Sequence, residues 1–145
     1  MKRILFTLSL LMVFLTASAQ DVLQLSAATF RKWSKDFSNS GYPMTQSSAD
    51  GNQEFSAKFM LNMESVFAVK VTPLSTFEKL SSKLEQSEIF EFNGLNAVYG
   101  FISSKSYLLL EIPENNIVMT FFTEHKLKRR EMEDIASVVP YKRLK

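Results

Sequence analysis

Apolar residues recur along this chain with two different spacings, and one of them is the spacing of amphipathic helices. Phe30, Trp33 and Phe37 follow Ser26 at intervals of three and four residues. Such residues lie on one face of an α-helix, and Ser26 can cap its first turn, so we predict a helix that ends near Gly41. The same spacing predicts two further helices, whose apolar stripes are Phe77, Leu80 and Leu84 and, before a stop at Pro140, Met132, Ile135, Ala136 and Val139.

The second spacing is the alternation of a half-buried β-strand. Residues 55–62 and 67–71 alternate in this way and fit a hairpin, and residues 44–49 are predicted to pair with the first of them. A helix through Phe55, Phe59 and Met63 is the alternative for the first segment. Four more predicted strands follow in close order, at residues 88–92, 95–102, 107–112 and 117–122. Short links between such neighbours are typical of an antiparallel meander.

The order of helix, up to three strands, helix, four strands and helix indicates an α+β fold. We expect one antiparallel sheet of about six to seven strands, with the C-terminal four-strand meander, and amphipathic helices packed on it. Residues 107–112 and 117–122 are apolar on both alternating faces, which is typical of a sheet covered on both sides. Alternatively, one face is incompletely covered and receives an apolar ligand, a lipid-like group or a second copy of the protein. Gly100, inside a predicted strand, indicates a bulge or a close packing contact.

Residues 1–19 have the three parts of a secretory signal peptide: a basic start, a mostly apolar stretch, and small residues before a cleavage site. A membrane anchor is the competing interpretation, but a spanning helix needs about 20 mostly apolar residues, and polar residues follow Ala19 at once. We therefore predict cleavage after Ala19. The predicted mature chain, residues 20–145, has the length of a single globular domain, exported to a bacterial periplasm or secreted, with no transmembrane segment.

Removal of the predicted signal peptide changes the charge of the molecule. The full chain has 17 basic and 15 acidic side chains, and two of the basic ones lie in residues 1–19, so 15 of each remain. Basicity of the whole chain is therefore no argument for nucleic acid, which the predicted compartment and the lack of a recognition motif also disfavour. The chain contains no cysteine, which excludes disulfides, thiolate nucleophiles and Cys-ligated metal sites.

Basic residues are concentrated near the C-terminus. Residues 126–145 contain seven basic and three acidic side chains. Lys126, Lys128, Arg129 and Arg130 form a candidate docking patch for an anionic surface, such as lipid head groups or an acidic protein. The alternative is a solvated helix beginning, in which Arg130 pairs with Asp134 one turn later.

Residues with catalytic chemistry are few. His125 is the single histidine, and its neighbour Glu124 points away from it on an extended chain, so the two do not form an acid-base or metal pair. Neither a nucleophile elbow nor a phosphate-binding glycine motif is present. Glu111 interrupts an apolar strand, and we expect it to reach solvent or to pair with a lysine such as Lys105. We therefore assign no catalytic, cofactor-binding or metal-binding residue.

Three hypotheses of function follow. The first is a non-catalytic binding or accessory protein of the bacterial envelope, which holds an apolar small molecule or a protein partner. Because methionine adapts to irregular apolar shapes, its candidate pocket is lined by Met60, Met63, Met119 and Phe122. The second is a self-associating envelope protein whose apolar sheet is buried by another subunit. The third, a small hydrolase that uses carboxylates such as Glu111 and Glu114, is disfavoured by the few candidate catalytic groups.

Overall fold

A seven-stranded antiparallel sheet with helices packed on it forms the protein, as expected for the α+β class. The computed structural model describes residues 22–49, 51 and 53–145, so the predicted signal peptide at residues 1–19 lies outside the described residues. None of the helices in the described ranges has the length and apolar character needed to cross a membrane. The elements in chain order are α1 (Ala27–Ser38), β1 (Met44–Ser48), β2 (Phe55–Met60), β3 (Val66–Pro73), α2 (Phe77–Ser81), β4 (Glu85–Phe92), β5 (Leu95–Ile102), β6 (Lys105–Ile112), β7 (Ile117–Thr123) and α3 (Arg129–Val138).

The strands follow the order β1-β2-β3-β7-β6-β5-β4 across the sheet. All neighbouring strands are antiparallel, and the predicted hairpin and meander are both present. Pairing between β3 and β7 joins the two halves, with Phe67 opposite Thr123 and Pro73 opposite Ile117. The connection through α2 carries the chain from β3, inside the sheet, to the far edge at β4.

The two longer helices, α1 and α3, contribute to the core on one face of the sheet. Phe30, Trp33 and Phe37 of α1 are all buried, as the helical spacing predicted. The ring of Phe30 lies 5.4 Å from that of Phe55, and the ring of Phe37 lies 4.8 Å from that of Phe59. α3 adds its own buried stripe of Met132, Ile135 and Ala136. Most of the hydrophobic core is therefore on this side.

The opposite face carries a smaller apolar cluster under α2. Leu84, Val98, Leu109 and Val118 are its buried members, and Phe77 and Leu80 pack against it. The prediction that Leu84 continues the second helix was wrong, because α2 ends at Ser81 and Leu84 lies just before β4. The described apolar residues of this cluster come from the α2 region and from β5, β6 and β7.

Turn chemistry and one close contact fix the position of β4 beside β5. Asn93 and Gly94 take φ values of 50° and 81° in the two-residue turn between the strands. At the other end of β4 the register shifts between Glu85 and Glu88. A Cβ built on Gly100 would lie 2.8 Å from the Cβ of Leu84, which confirms the predicted close packing contact.

Candidate binding groove between the β2–β3 hairpin and α3

The structure does not bring the four predicted pocket residues together. Met119 is fully buried in the core beneath α1 and α3, whereas Phe122, three positions later in β7, is half-buried on the other face and stacks on Tyr107 at 5.5 Å. Residues an odd number apart on a strand point to opposite faces, so Met119 and Phe122 cannot line one pocket. Met60 is half-buried at the end of β2, and Met63 is 95% exposed in the following loop.

A groove with apolar walls lies next to that loop. Its volume is about 410 Å³, within the usual range for small-molecule sites. The loop between β2 and β3 forms one wall, α3 forms the other, and the end of β7 with the segment after it lies between them. We call this feature the hairpin groove, and its apolar lining consists of Leu61, Val66, Leu127, Ile135 and Val138.

Exposed apolar side chains are concentrated around the hairpin groove. Leu61, Val66 and Val138 are 37%, 40% and 40% exposed. Together with Met63 they make up four of the seven exposed large apolar residues in the described part of the chain. Isolated exposed apolar residues are normal, but a group of them around a concavity is typical of an interaction site.

Local hydrogen bonds hold the loop between β2 and β3, which forms one wall of the hairpin groove. The Asn62 side-chain oxygen accepts from the backbone N–H of Glu64 at 2.9 Å and from that of Ser65 at 2.8 Å. The backbone N–H of Leu61 donates to the carbonyl of Ser65 at 2.9 Å and closes the loop. Asparagine side chains commonly fix turns in this way. Hydrogen bonds within residues 61–65 therefore fix the conformation of the loop, with Leu61 at its start and Ser65 at its end.

The polar side chains of the groove carry two hydroxyls, an imidazole and two carboxylates. The Ser65 hydroxyl oxygen is buried and has no hydrogen-bond partner within the described residues. His125, Glu131 and Asp134 are exposed lining residues. Glu131 also caps α3, since its carboxylate accepts from the backbone N–H of Lys128 at 2.7 Å. The position of the groove floor is fixed by Thr123, whose hydroxyl donates to the His125 carbonyl at 2.8 Å.

Four other surface concavities differ from the hairpin groove in charge. The largest, about 640 Å³ between α1 and the C-terminal segment, is lined by Asp36 but also by Lys32 and Arg143. One on the open sheet face, about 460 Å³ and lined in part by Phe122, combines Glu124 with Lys58. The remaining two share Glu114 and Lys145. The hairpin groove, in contrast, has two carboxylates and no lysine or arginine among its described lining residues.

The predicted basic patch is partly engaged within the protein. Lys126 lies over the ring of Phe101, with its amine 4.3 Å from the ring centre. Arg129 lies over the ring of Phe90 at 4.8 Å. Its guanidinium also contacts the carboxylates of Glu88 at 3.0 Å and Glu133 at 3.2 Å.

Lys128 and Arg130 are exposed at the start of α3. Between the described residues of α3, the ion pair one turn apart is Arg129 with Glu133 and not the predicted Arg130 with Asp134. Two of the four charges of the patch contact aromatic rings. Docking of this patch on an anionic surface stays a prediction.

Glu111 is partly exposed to solvent, which was one of the two expectations for it, and it does not pair with Lys105. Lys105 pairs with Glu124 at 2.8 Å and not with Glu111, which accepts from the Asn96 side-chain amide at 2.9 Å. The reason is distance, because Lys105 and Glu111 are six residues apart on β6, roughly 20 Å in an extended strand. The hydrogen bond and charge of Lys105 lower the pKa of Glu124, and Glu124 raises the pKa of Lys105 in the same way.

Sequence reasoning did not identify the hairpin groove. Its walls come from residues 61–66, 123–127 and 131–138, and no local pattern shows that these segments meet. The one available signal was Met63, an apolar residue in a predicted connection between strands. Comparisons of the chain with family models, with curated proteins and with solved structures find no match.

Proposed function

We propose that this chain is an exported, non-catalytic binding protein of the bacterial envelope, and that its hairpin groove holds the apolar part of a small molecule. The signal-peptide pattern of residues 1–19 supports export. The observation that carries the binding proposal is a ready-formed concavity bordered by the partly exposed Leu61, Val66 and Val138.

The gain from covering these side chains is sufficient for measurable affinity. Full burial of a valine or leucine side chain contributes about 1.5–3 kcal/mol, so covering the exposed two-fifths of all three contributes roughly 2–4 kcal/mol. The apolar surface of the ligand adds a similar term, and the loss of free motion on binding opposes both. We therefore expect affinities in the micromolar to millimolar range for simple apolar probes.

The non-catalytic part of the proposal rests on how the candidate carboxylates are used. Of the two carboxylates named for a hydrolase, Glu111 accepts from the amide of Asn96, and Glu114 lines two concavities that Lys145 also lines. A glycosidase-type mechanism needs two carboxyl groups that face one another across a substrate.

Titration with octanol, followed by amide NMR shifts, tests the binding site. We expect shifts in residues 61–66, 123–127 and 131–138, and weaker binding in Leu61→Ser and Val138→Ser. Ile89→Ser is the matched control, because Ile89 is a 78% exposed apolar residue on edge strand β4, outside the groove. Shifts confined to other surfaces, or unchanged affinity in both groove variants, would contradict the proposal.

Export is tested separately on the protein isolated from its native cell. Mass spectrometry of the envelope fraction should find an N-terminus at Gln20. A protein with intact Met1 in the cytosolic fraction would refute export without affecting the groove.

A second candidate function is self-association through the β1 edge of the sheet. All five residues of β1 are exposed and uncharged. The β4 edge, in contrast, carries glutamates and a register irregularity, features that block pairing with another strand. Sedimentation analysis distinguishes the two functions, since a dimer that dissociates in Ser47→Pro would favour self-association.

A further inference from the structure

The methionines of the described chain differ widely in exposure. Met119 and Met132 are fully buried, Met60 is half-buried and Met44 is 36% exposed, whereas Met63 is 95% exposed. Burial of a large apolar side chain stabilises a fold, and Met63 contributes almost none of this stabilisation. Packing within the domain therefore does not explain the side chain at position 63.

The backbone on both sides of Met63 is nevertheless held in place. The side-chain oxygen of Asn62 accepts hydrogen bonds from the backbone N–H groups of Glu64 and Ser65, and the Leu61 N–H donates to the Ser65 carbonyl. These bonds all join residues other than Met63, so a chemical change at its sulfur breaks none of them. The loop thus presents a thioether to solvent without depending on it.

Sulfur chemistry gives this exposure a consequence. The chain contains no cysteine, so thioethers are its only sulfur groups. A peroxide oxidises a thioether by oxygen transfer: the O–O bond breaks, one oxygen atom forms a bond to sulfur, and the remainder leaves as water or an alcohol. Sulfur loses two electrons and the peroxide gains them. Sulfurs in the core react only when the core opens, so Met63 should react well before Met119 and Met132.

We propose that Met63 is an oxidation site, at which peroxides form methionine sulfoxide without unfolding the domain and thereby weaken ligand binding in the hairpin groove. Leu61, Ser65 and Val66 of the same loop line that groove, and Met63 belongs to the exposed apolar group around it. The sulfoxide replaces part of this apolar surface by a polar group that prefers water. The effect on binding rests on the proposed function, which places an apolar ligand in the groove.

Peptide mass mapping of the native protein after exposure to hydrogen peroxide tests the site. We expect Met63 to be oxidised at least about tenfold faster than Met119 and Met132, with an unchanged unfolding midpoint in denaturant. Oxidation of the two core methionines at the rate of Met63 would overturn the inference. Unfolding that accompanies the oxidation of Met63 would also overturn it.

Octanol titration of the oxidised protein, with amide NMR shifts as the readout, tests the effect on the groove. Oxidation should weaken octanol binding several-fold, and reduction by a methionine sulfoxide reductase with a dithiol should restore it. Met63→Leu retains the apolar bulk and cannot form a sulfoxide, so its octanol affinity should not respond to peroxide. The matched control is Met44→Leu, which removes an exposed methionine outside the lining of the groove and should leave the response intact.

The results distinguish this inference from the proposed function. Unchanged octanol affinity after oxidation of Met63, or an equal response to peroxide in Met63→Leu, would overturn the inference while the groove still bound octanol. Absence of octanol binding by the unoxidised protein would overturn the proposed function and, with it, the effect of oxidation on binding. The oxidation rates would still decide whether Met63 is the reactive site.

Discussion

Alanine at Gly100 would place one methyl group where β5 packs against the start of β4. The added Cβ would lie 2.8 Å from the Cβ of Leu84, 3.0 Å from the carbonyl oxygen of Glu85 and 3.4 Å from the Cα of Ser87. The first of these atoms is fixed to the backbone and the other two belong to it, so no side-chain rotation relieves the contact. The backbone before β4 must move.

The magnitude follows from two opposing effects. In an open strand, replacing glycine by alanine stabilises a protein by roughly 0.5–1 kcal/mol, because glycine loses more backbone freedom on folding. Overpacking a close contact costs about 1–3 kcal/mol. We therefore expect Gly100→Ala to lower the free energy of unfolding by about 1–2 kcal/mol and Tm by about 3–10 °C.

Denaturant unfolding of Gly100→Ala, followed by circular dichroism, measures the change in the free energy of unfolding. The sign of this change tests the steric argument. A variant as stable as the parent or more stable would refute the steric argument, because backbone entropy alone predicts stabilisation. A double-mutant cycle with Leu84→Gly identifies the contact. The cost of Gly100→Ala should be smaller when the Leu84 Cβ is absent, with a coupling of about 1 kcal/mol.

Three further predictions concern the core, the hydrogen bond between α1 and the segment after α3, and a surface ion pair. Phe59→Ala should lower the free energy of unfolding by about 3–5 kcal/mol in denaturant titration, because Phe59 is fully buried among Trp33, Phe37 and Phe67; a loss below 1 kcal/mol would contradict this packing. Trp33→Phe should lower it by about 1 kcal/mol, since the indole N–H donates to the Pro140 carbonyl at 3.1 Å; an unchanged midpoint would show that this bond is not formed in solution. Lys105 lowers the pKa of Glu124 below 4.5, so the stabilisation by this carboxylate is present above pH 4.5 and is lost as pH falls through the lowered pKa. The stability difference between the parent and Glu124→Gln should therefore shrink below pH 4.5, and a constant difference down to pH 2 would count against the ion pair.

The spacing of apolar residues was sufficient to locate most elements. Phe30, Trp33 and Phe37 form the buried face of α1, and β5 occupies the predicted residues 95–102. These patterns are reliable because each element buries one side, and its period is set by backbone geometry alone. Asn93 and Gly94 were recognisable for the same local reason, since few residues accept positive φ at low cost.

The candidate pocket failed because Met119 and Phe122 are three positions apart in one strand, and the period of two places them on opposite faces. Since the strand is apolar on both sides, periodicity could not tell which side meets α1 and α3. Lys105 was one possible partner of Glu111, and only the strand register shows that it pairs with Glu124. The register of β6 against β7 pairs Ser106 with Thr123 and thereby brings Lys105 near Glu124.

The amino-acid sequence by itself determined the local structure of this protein: the periods that make its helices and strands, its tight turns, and a bulge or a close contact at Gly100. Only the tertiary structure decided which segments meet. The pairing of β3 with β7 joins the N-terminal hairpin to the C-terminal meander, and the packing of α3 beside Leu61 and Val66 creates the groove. Such contacts join residues that are far apart in the sequence, such as Phe67 with Thr123 and Leu61 with Val138, and their choice depends on the packing of the whole sheet and not on any local pattern.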